Sequence, residues 1–306
     1  MLKNLFLIYY LFEFNKINNK SAENYEGFSE TTHELSNLNK EDDYNFYNWL
    51  AGVIDGDGNF DIIKGSHHSF VLKAIRIKLH NRDIYILTRI LDYLGFGRIK
   101  SINNKPYSMY IVSRKEHMKY LINRLNGLIR IKVPGFEKAC IIYNIDYKEP
   151  NYNIKSFDPY LSGLIDTDGS IVFNYNGNRI ECNLEFKYND YTKKLNFDNT
   201  IPFYKPNIMC RIQNNEKISK KYTSIRFSYQ TVNGMIYLYK YFMKNRLYSD
   251  FKYFRIKKIE EFLSIRKYKS EPRDSKEFKI YSDFLLNWIQ YKNPSWSKIP
   301  FVKKIR

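Results

Sequence analysis

The chain has 306 residues, 43% of them apolar and 17% aromatic, enough for a sizeable core in one large domain or two smaller ones. Fifty Lys and Arg against 32 Asp and Glu leave a net charge of +18, which suits a polyanion: nucleic acid, through counterion release, or an anionic membrane surface. Cys140, Cys182 and Cys210 are odd in number, far apart and free of any CxxC pair, which suggests neither a zinc site nor a disulfide framework and reads as buried free thiols.

Met1–Phe14 is apolar and aromatic but interrupted by Lys3, Asn4 and Glu13. It is shorter than the roughly 20 apolar residues that cross a bilayer, and it lacks the Arg-rich, acid-poor character of a transit peptide. It fits either a reading-frame remnant or an extra packing segment. Asn15–Asp43 is polar and mixed in charge, a flexible lead-in. Apolar and small residues from Tyr47 to Asp55 predict a helix. Period-two alternation then predicts strands at Asn59–Lys64 and Ala74–Leu79. Ile84–Leu94 has helical spacing ended by Gly95, Arg98–Ile102 and Tyr107–Val112 form a hairpin, and a helix follows from about Glu116 to Leu125.

The order then starts again. Tyr160–Asp166 repeats the first helix, Ser170–Tyr175 and Ile180–Tyr188 the first strands, Met209–Gln213 and Tyr222–Tyr229 the hairpin, and Met235–Met243 the later helix. Asp190–Pro206, with Pro202 and Pro206, replaces the clear middle helix of the first copy with a shortened or displaced one. The reading is an α+β chain of two αββαββα units related by a pseudo-two-fold axis: a lead-in over 1–43, units over 44–150 and 151–267, and a basic tail over 268–306 with a helix at Lys276–Gln290.

The repeated helices end in nearly the same words, Leu50-Ala51-Gly52-Val53-Ile54-Asp55-Gly56-Asp57-Gly58 and Leu161-Ser162-Gly163-Leu164-Ile165-Asp166-Thr167-Asp168-Gly169, 111 residues apart. Gly52 with Gly56, and Gly163 with Thr167, lie four apart on one helix face and let two backbones approach closely. Packing them together sets Asp57 beside Asp168. Each acid then faces the negative end of a helix dipole and repels its twin, and a divalent cation relieves both. Paired carboxylates with water and phosphate oxygen suit Mg²⁺, which activates water and stabilises a leaving oxygen in phosphodiester attack.

Both nine-residue segments resemble the motif that names the LAGLIDADG homing endonucleases and intron maturases, in the single-chain, two-motif arrangement, over about Tyr44–Lys267. The resemblance implies two αββαββα units whose sheets form a saddle over double-stranded DNA. It makes Asp57 and Asp168 the metal ligands, with the backbone carbonyls of Gly56 and Thr167 contributing. It also implies a basic residue near the metals in each half: Lys132, in the Arg130-Ile131-Lys132 loop, and Lys252, one residue off a gap-free match. Residues alternating with core positions on the strands are the DNA-reading candidates: Asn59, Asp61, Arg76, Lys78, Arg98 and Lys100, then Ser170, Asn174, Glu185, Lys187, Arg211 and Arg226. His67 and His68 fall in a strand turn and read as turn residues, not metal ligands. Abundant Tyr, Phe, Lys, Asn and Ile reflect A/T-rich codons, as in a fungal mitochondrial group I intron. Together these features predict a Mg²⁺-dependent, site-specific double-strand endonuclease, a monomer without membrane association, located in the mitochondrion. The competing reading is an RNA-binding maturase that assists group I intron splicing and mRNA processing; a transcription regulator reusing the fold has no helix-turn-helix signal behind it.

Overall fold

A computed structural model describes residues 31–65, 69–215 and 220–305. The expectations for Met1–Phe14, His67 and His68 lie outside the described residues. By its contacts Asp43–Arg306 is one compact unit. The first motif helix, α1, spans Thr31–Asp57. Residues 31–43 of the expected flexible lead-in are therefore helical. No Gly or Pro interrupts 31–51, so helix propagates through the polar stretch without a breaker.

From α1 the chain enters β1 (Gly58–Lys64) with no connecting loop, then β2 (Phe70–His80), α2 (Ile84–Leu94), β3 (Arg98–Ser101), β4 (Tyr107–Val112), α3 (Lys115–Leu125) and α4 (Val133–Ile142). The second copy runs α5 (Tyr160–Thr167), β5 (Ser170–Asn174), β6 (Arg179–Lys187), β7 (Asn207–Asn215), β8 (Lys220–Tyr229) and α6 (Met235–Lys244). It is followed by α7 (Asp250–Lys257), α8 (Ile259–Ile265), α9 (Lys276–Gln290) and α10 (Val302–Ile305). The two antiparallel sheets share one topology, β1-β2-β4-β3 and β5-β6-β8-β7. Among the described residues no helix is long and apolar enough to cross a membrane.

The second copy departs from αββαββα. Between β6 and β7 there is only a 3₁₀ turn at Thr192–Lys194 and an irregular loop. Pro202, Pro206 and the left-handed Phe203 (φ 63°) deny it a helix. Leu195, Phe197 and Ile201 are buried instead, and the loop is stitched to the inter-repeat segment by Ile154 N–H to Asn196 O (3.0 Å) and Asn196 N–H to Tyr152 O (2.9 Å). In the first copy α2 buries Ile86, Leu87 and Ile90 and packs on β3. Without such a helix β7 is bare, with Ile212 75% exposed. This corrects the expectation for the thiols: Cys140 and Cys182 are buried, but Cys210, on β7, is exposed.

Helices α4, α7 and α8 were not anticipated from periodicity. α4 carries its own signal: Pro134 in the first turn, where its missing N–H costs nothing, then buried Phe136, Ala139 and Cys140. The tail helix α9 matches its expected bounds; Ser275 caps it by accepting from Phe278 N–H (3.1 Å).

Candidate metal centre and nucleic-acid interface

The helices α1 and α5 meet backbone to backbone. A Cβ added at Gly52 would lie 2.2 Å from Tyr160 O, and one at Gly163 would lie 2.1 Å from Trp49 O. Nothing larger than glycine fits at either place. Gly58 and Gly169 close the helix-to-strand junctions, where a Cβ would sit 2.7 Å and 2.5 Å from the Cα of Ile54 and Ile165. That is why strand follows helix without a loop, and why each acid before it lies at the end of the seam.

Two further acids, Asp55 and Asp166, are buried and cross-linked between the repeats. Tyr160 of α5 donates its hydroxyl to Asp55 Oδ2 (2.7 Å), and Trp49 of α1 donates Nε1–H to Asp166 Oδ2 (2.9 Å). Trp49 and Tyr160 are the same 111 residues apart as the motifs. Each buried acid also holds a backbone loop. Asp55 accepts from Arg130 N–H (2.7 Å) and Lys132 N–H (2.8 Å); Asp166 accepts from Tyr248 N–H (2.9 Å) and Ser249 N–H (2.8 Å). These are the loops that deliver Lys132 and Lys252. The positioning role of Asp55, Asp166, Trp49 and Tyr160 escaped the sequence reading, although the shared spacing of an aromatic donor was there to be found.

Asp57 and Asp168 open to solvent at the seam's end. A Cβ on Gly56 would come 3.5 Å from Asp168 Oδ2, and Asp57, the next residue, is close enough to feel the Asp168 charge. Burial, and next the Asp168 carboxylate, push the pKa of Asp57 up; burial raises that of Asp168. Lys132 and Lys252 oppose both shifts. The two lysines cap the motif helices. Lys132 Nζ donates to Gly56 O (2.5 Å) and to Gly58 O. Lys252 Nζ donates to Ile165 O (2.8 Å), Asp166 O (2.9 Å) and Thr167 O (2.9 Å). Helix-end carbonyls that lack partners are thereby satisfied, and a cation sits at each negative pole. Burial lowers both lysine pKa values.

A hard divalent cation fits this donor set. Among the described residues no three of His, Cys, Asp and Glu come together, so the protein offers two carboxylates and leaves the remaining positions to water and phosphate. The carbonyls of Gly56 and Thr167 keep a second lone pair beside the lysine bond.

The sheet register gathers the reading candidates. Asn59 pairs with Arg76, Arg76 with Ile111 and Ile111 with Arg98; one step along, Lys78, Met109 and Lys100 form the next row. Asp61 lies on the same face and binds Arg76 at 2.7 Å, which restrains that guanidinium. In the second sheet Glu185, Arg226 and Met209 make one row and Lys187, Ser224 and Arg211 the next, with Ser170 and Asn174 on the same face of β5. Asn174 is tied to Glu181 (2.9 Å), and Ser224 to Glu185 (2.6 Å). The Arg179–Glu181 pair (2.8 Å) shares this face and was not singled out beforehand.

Twin acids at the joint of a duplicated helix pair, each helix running straight into a four-stranded antiparallel sheet, define a two-motif α+β protein of internal symmetry. Residues 50–143 match the family model described as LAGLIDADG endonuclease. The chain is 36% identical over 140 residues to the intron-encoded RNA maturase bI4 of Saccharomyces cerevisiae, a match covering 45% of this chain and 21% of the relative. It is 29% identical over 243 residues to the intron-encoded DNA endonuclease ai2a of Dictyostelium discoideum, covering 78% of this chain and 74% of the relative. The chain thus spans about a fifth of the first relative's length and about three quarters of the second's. The crystal structure of LAGLIDADG meganuclease I-CpaMI bound to uncleaved DNA is 16% identical, with a TM-score of 0.49, over 80% of this chain and 96% of its own.

Proposed function

We propose that the chain is a Mg²⁺-dependent endonuclease that cuts both strands of double-stranded DNA at a long, specific site. The observation that carries this reading is the convergence of Asp57 and Asp168 at the end of the glycine seam, between two sheet faces rich in polar and basic side chains. Asp57 and Asp168 would hold the metal, with the Gly56 and Thr167 carbonyls available to it. When bound, such an ion lowers the pKa of coordinated water and stabilises the leaving oxygen of a phosphodiester. The chain's own part is placement. Asp55 and Asp166 fix the loops, and the loops fix the lysines. Lys132, with two acceptors, keeps one N–H for a substrate phosphate oxygen. Arg76, Lys78, Arg98 and Lys100 in one sheet and Lys187, Arg211 and Arg226 in the other would hold phosphates or read guanine, with Asn59 and Asn174 suited to adenine. Because the two faces differ in sequence, the site they read is asymmetric. A single chain supplies both halves of the centre, so a monomer suffices. The A/T-rich residue usage and the intron-encoded relatives support a mitochondrial gene.

Incubation with Mg²⁺ and DNA spanning candidate intronless junctions tests this. Wild type should linearise the substrate. Asp57→Asn and Asp168→Asn should each abolish cleavage while holding DNA affinity within about 1.4 kcal/mol, tenfold in Kd. Cleavage by both variants would overturn the assignment of the acids.

The identity to an RNA maturase supports a second reading, support of group I intron splicing by the same basic scaffold. The Asp57→Asn, Asp168→Asn double variant separates the two: splicing support that survives the loss of cleavage would establish the maturase role.

A further inference from the structure

Two helices begin against each other across the repeat boundary. Asp83 stands at the N-cap of α2 in the first repeat, and Ser249 at the N-cap of α7 in the second. Asp and Ser are preferred at that position because the side-chain oxygen accepts from a free backbone N–H in the first turn of its own helix. Neither residue makes that bond. Instead Ser249 donates its hydroxyl to Asp83 Oδ1 (2.5 Å), 166 residues away in sequence. Both residues are buried. The Arg82 guanidinium, 4.7 Å from the centre of the Phe251 ring, joins the same two turns a second time.

Lys252 stands three residues after this cap. The Ser249 N–H is given to Asp166 (2.8 Å), and the Ser249 carbonyl accepts from Tyr253 N–H (2.8 Å). The cap therefore fixes where α7 starts and from where Lys252 reaches the end of α5. The pairing is one-sided. Asp190 lies three residues past β6, as Asp83 lies three past β2, but its side chain is 84% exposed and pairs with Lys193 (2.6 Å) in its own turn.

We propose that Asp83 and Ser249 are a positioning pair through which the first repeat holds Lys252, the lysine of the second, at the candidate metal centre. The proposal rests on the DNA-cutting reading and assigns that site two further residues. Two good capping side chains that leave their own helices uncapped to meet each other break a local rule in favour of a long-range contact, and such departures gather at functional sites. The centre has two pseudo-symmetric halves and a duplex has two strands, so Lys252 faces one strand and Lys132 the other. Displacing Lys252 alone slows one cut and spares its twin.

The test is single-turnover cleavage with Mg²⁺, by the full chain, of intronless-junction DNA labelled on each strand. Asp83→Ala and Ser249→Ala should each slow the same one strand by about tenfold or more, so that nicked product accumulates. The double variant should be no slower than either single variant. Asp83→Asn keeps an oxygen acceptor for the Ser249 hydroxyl and should restore the balance between strands. Asp190→Ala should leave both rates unchanged. A smaller folded fraction lowers both rates together, so their ratio reads position and not stability. A second readout needs neither metal nor DNA: in Asp83→Ala the Tyr248 and Ser249 amides should exchange hydrogen faster, while those of Arg130 and Lys132 keep their wild-type rates. Equal slowing of both strands, failure of Asp83→Asn to restore the balance, or unchanged exchange at Tyr248 and Ser249 would overturn the pair while the DNA reading stands. Absence of cutting by wild type would overturn the DNA reading itself.

Discussion

The two repeats bring the same acid to the seam and cap it with lysines that arrive by different routes. Lys132 stands just before α4 and gives two N–H bonds to the end of α1; Lys252 lies inside the first turns of α7 and gives all three to the end of α5. The geometry near the seam is duplicated closely, while the surroundings have diverged: one repeat has a middle helix and a covered edge strand, the other a proline-bearing loop, a bare β7 and an appended basic segment. The contrast teaches where the sequence is constrained. Backbone contact at Gly52 and Gly163 tolerates no change, but the rim needs only some cover for its apolar face.

Five substitutions at three places sharpen or break that comparison. The largest effect belongs to the seam. Gly52→Ala and Gly163→Ala each press a methyl into partner backbone, which should cost about 3 kcal/mol. In a unit of this size that lowers Tm by about 6–12 °C. Unequal losses for the pair would contradict the symmetry of the seam. Next come the lysines. Lys252→Met strips three carbonyls of their donor in a buried place and should cost about 2 kcal/mol more, by denaturant unfolding without metal, than Lys132→Met. Equal costs would mean that the two caps are equivalent after all. The smallest effect is at the cross-link: Tyr160→Phe keeps the ring and removes one bond to the buried Asp55, worth about 1.5 kcal/mol. A neutral result in thermal melts would remove that bond from the account.

Much of this architecture was legible in the sequence because two periodicities reinforced each other. Strand alternation located β1 through β8 to within a few residues, and the nine-residue repeat fixed the register of one half on the other. Asp57 and Asp168 could be paired by position alone. What stayed hidden depends on long-range contact. Residues 31–43 are helical for want of a breaker, not through any amphipathic pattern. Cys210 is exposed because a helix is missing elsewhere. Trp49 and Tyr160 look like ordinary aromatic core until their polar ends are seen to reach acids 117 and 105 residues away. Lys252 was placed from a loop that matched imperfectly, and its role as a three-bond cap follows from α7, a helix that apolar spacing did not disclose.

The proposed cleavage requires a shared cation position between Asp57 and Asp168. Soaking crystals of the full chain in Mn²⁺, a heavier stand-in for Mg²⁺, and mapping anomalous scattering tests it most directly. The expected result is a peak contacting both carboxylates in wild type and absent in the Asp57→Asn, Asp168→Asn variant. A peak elsewhere only, or one that survives loss of both acids, would contradict the account.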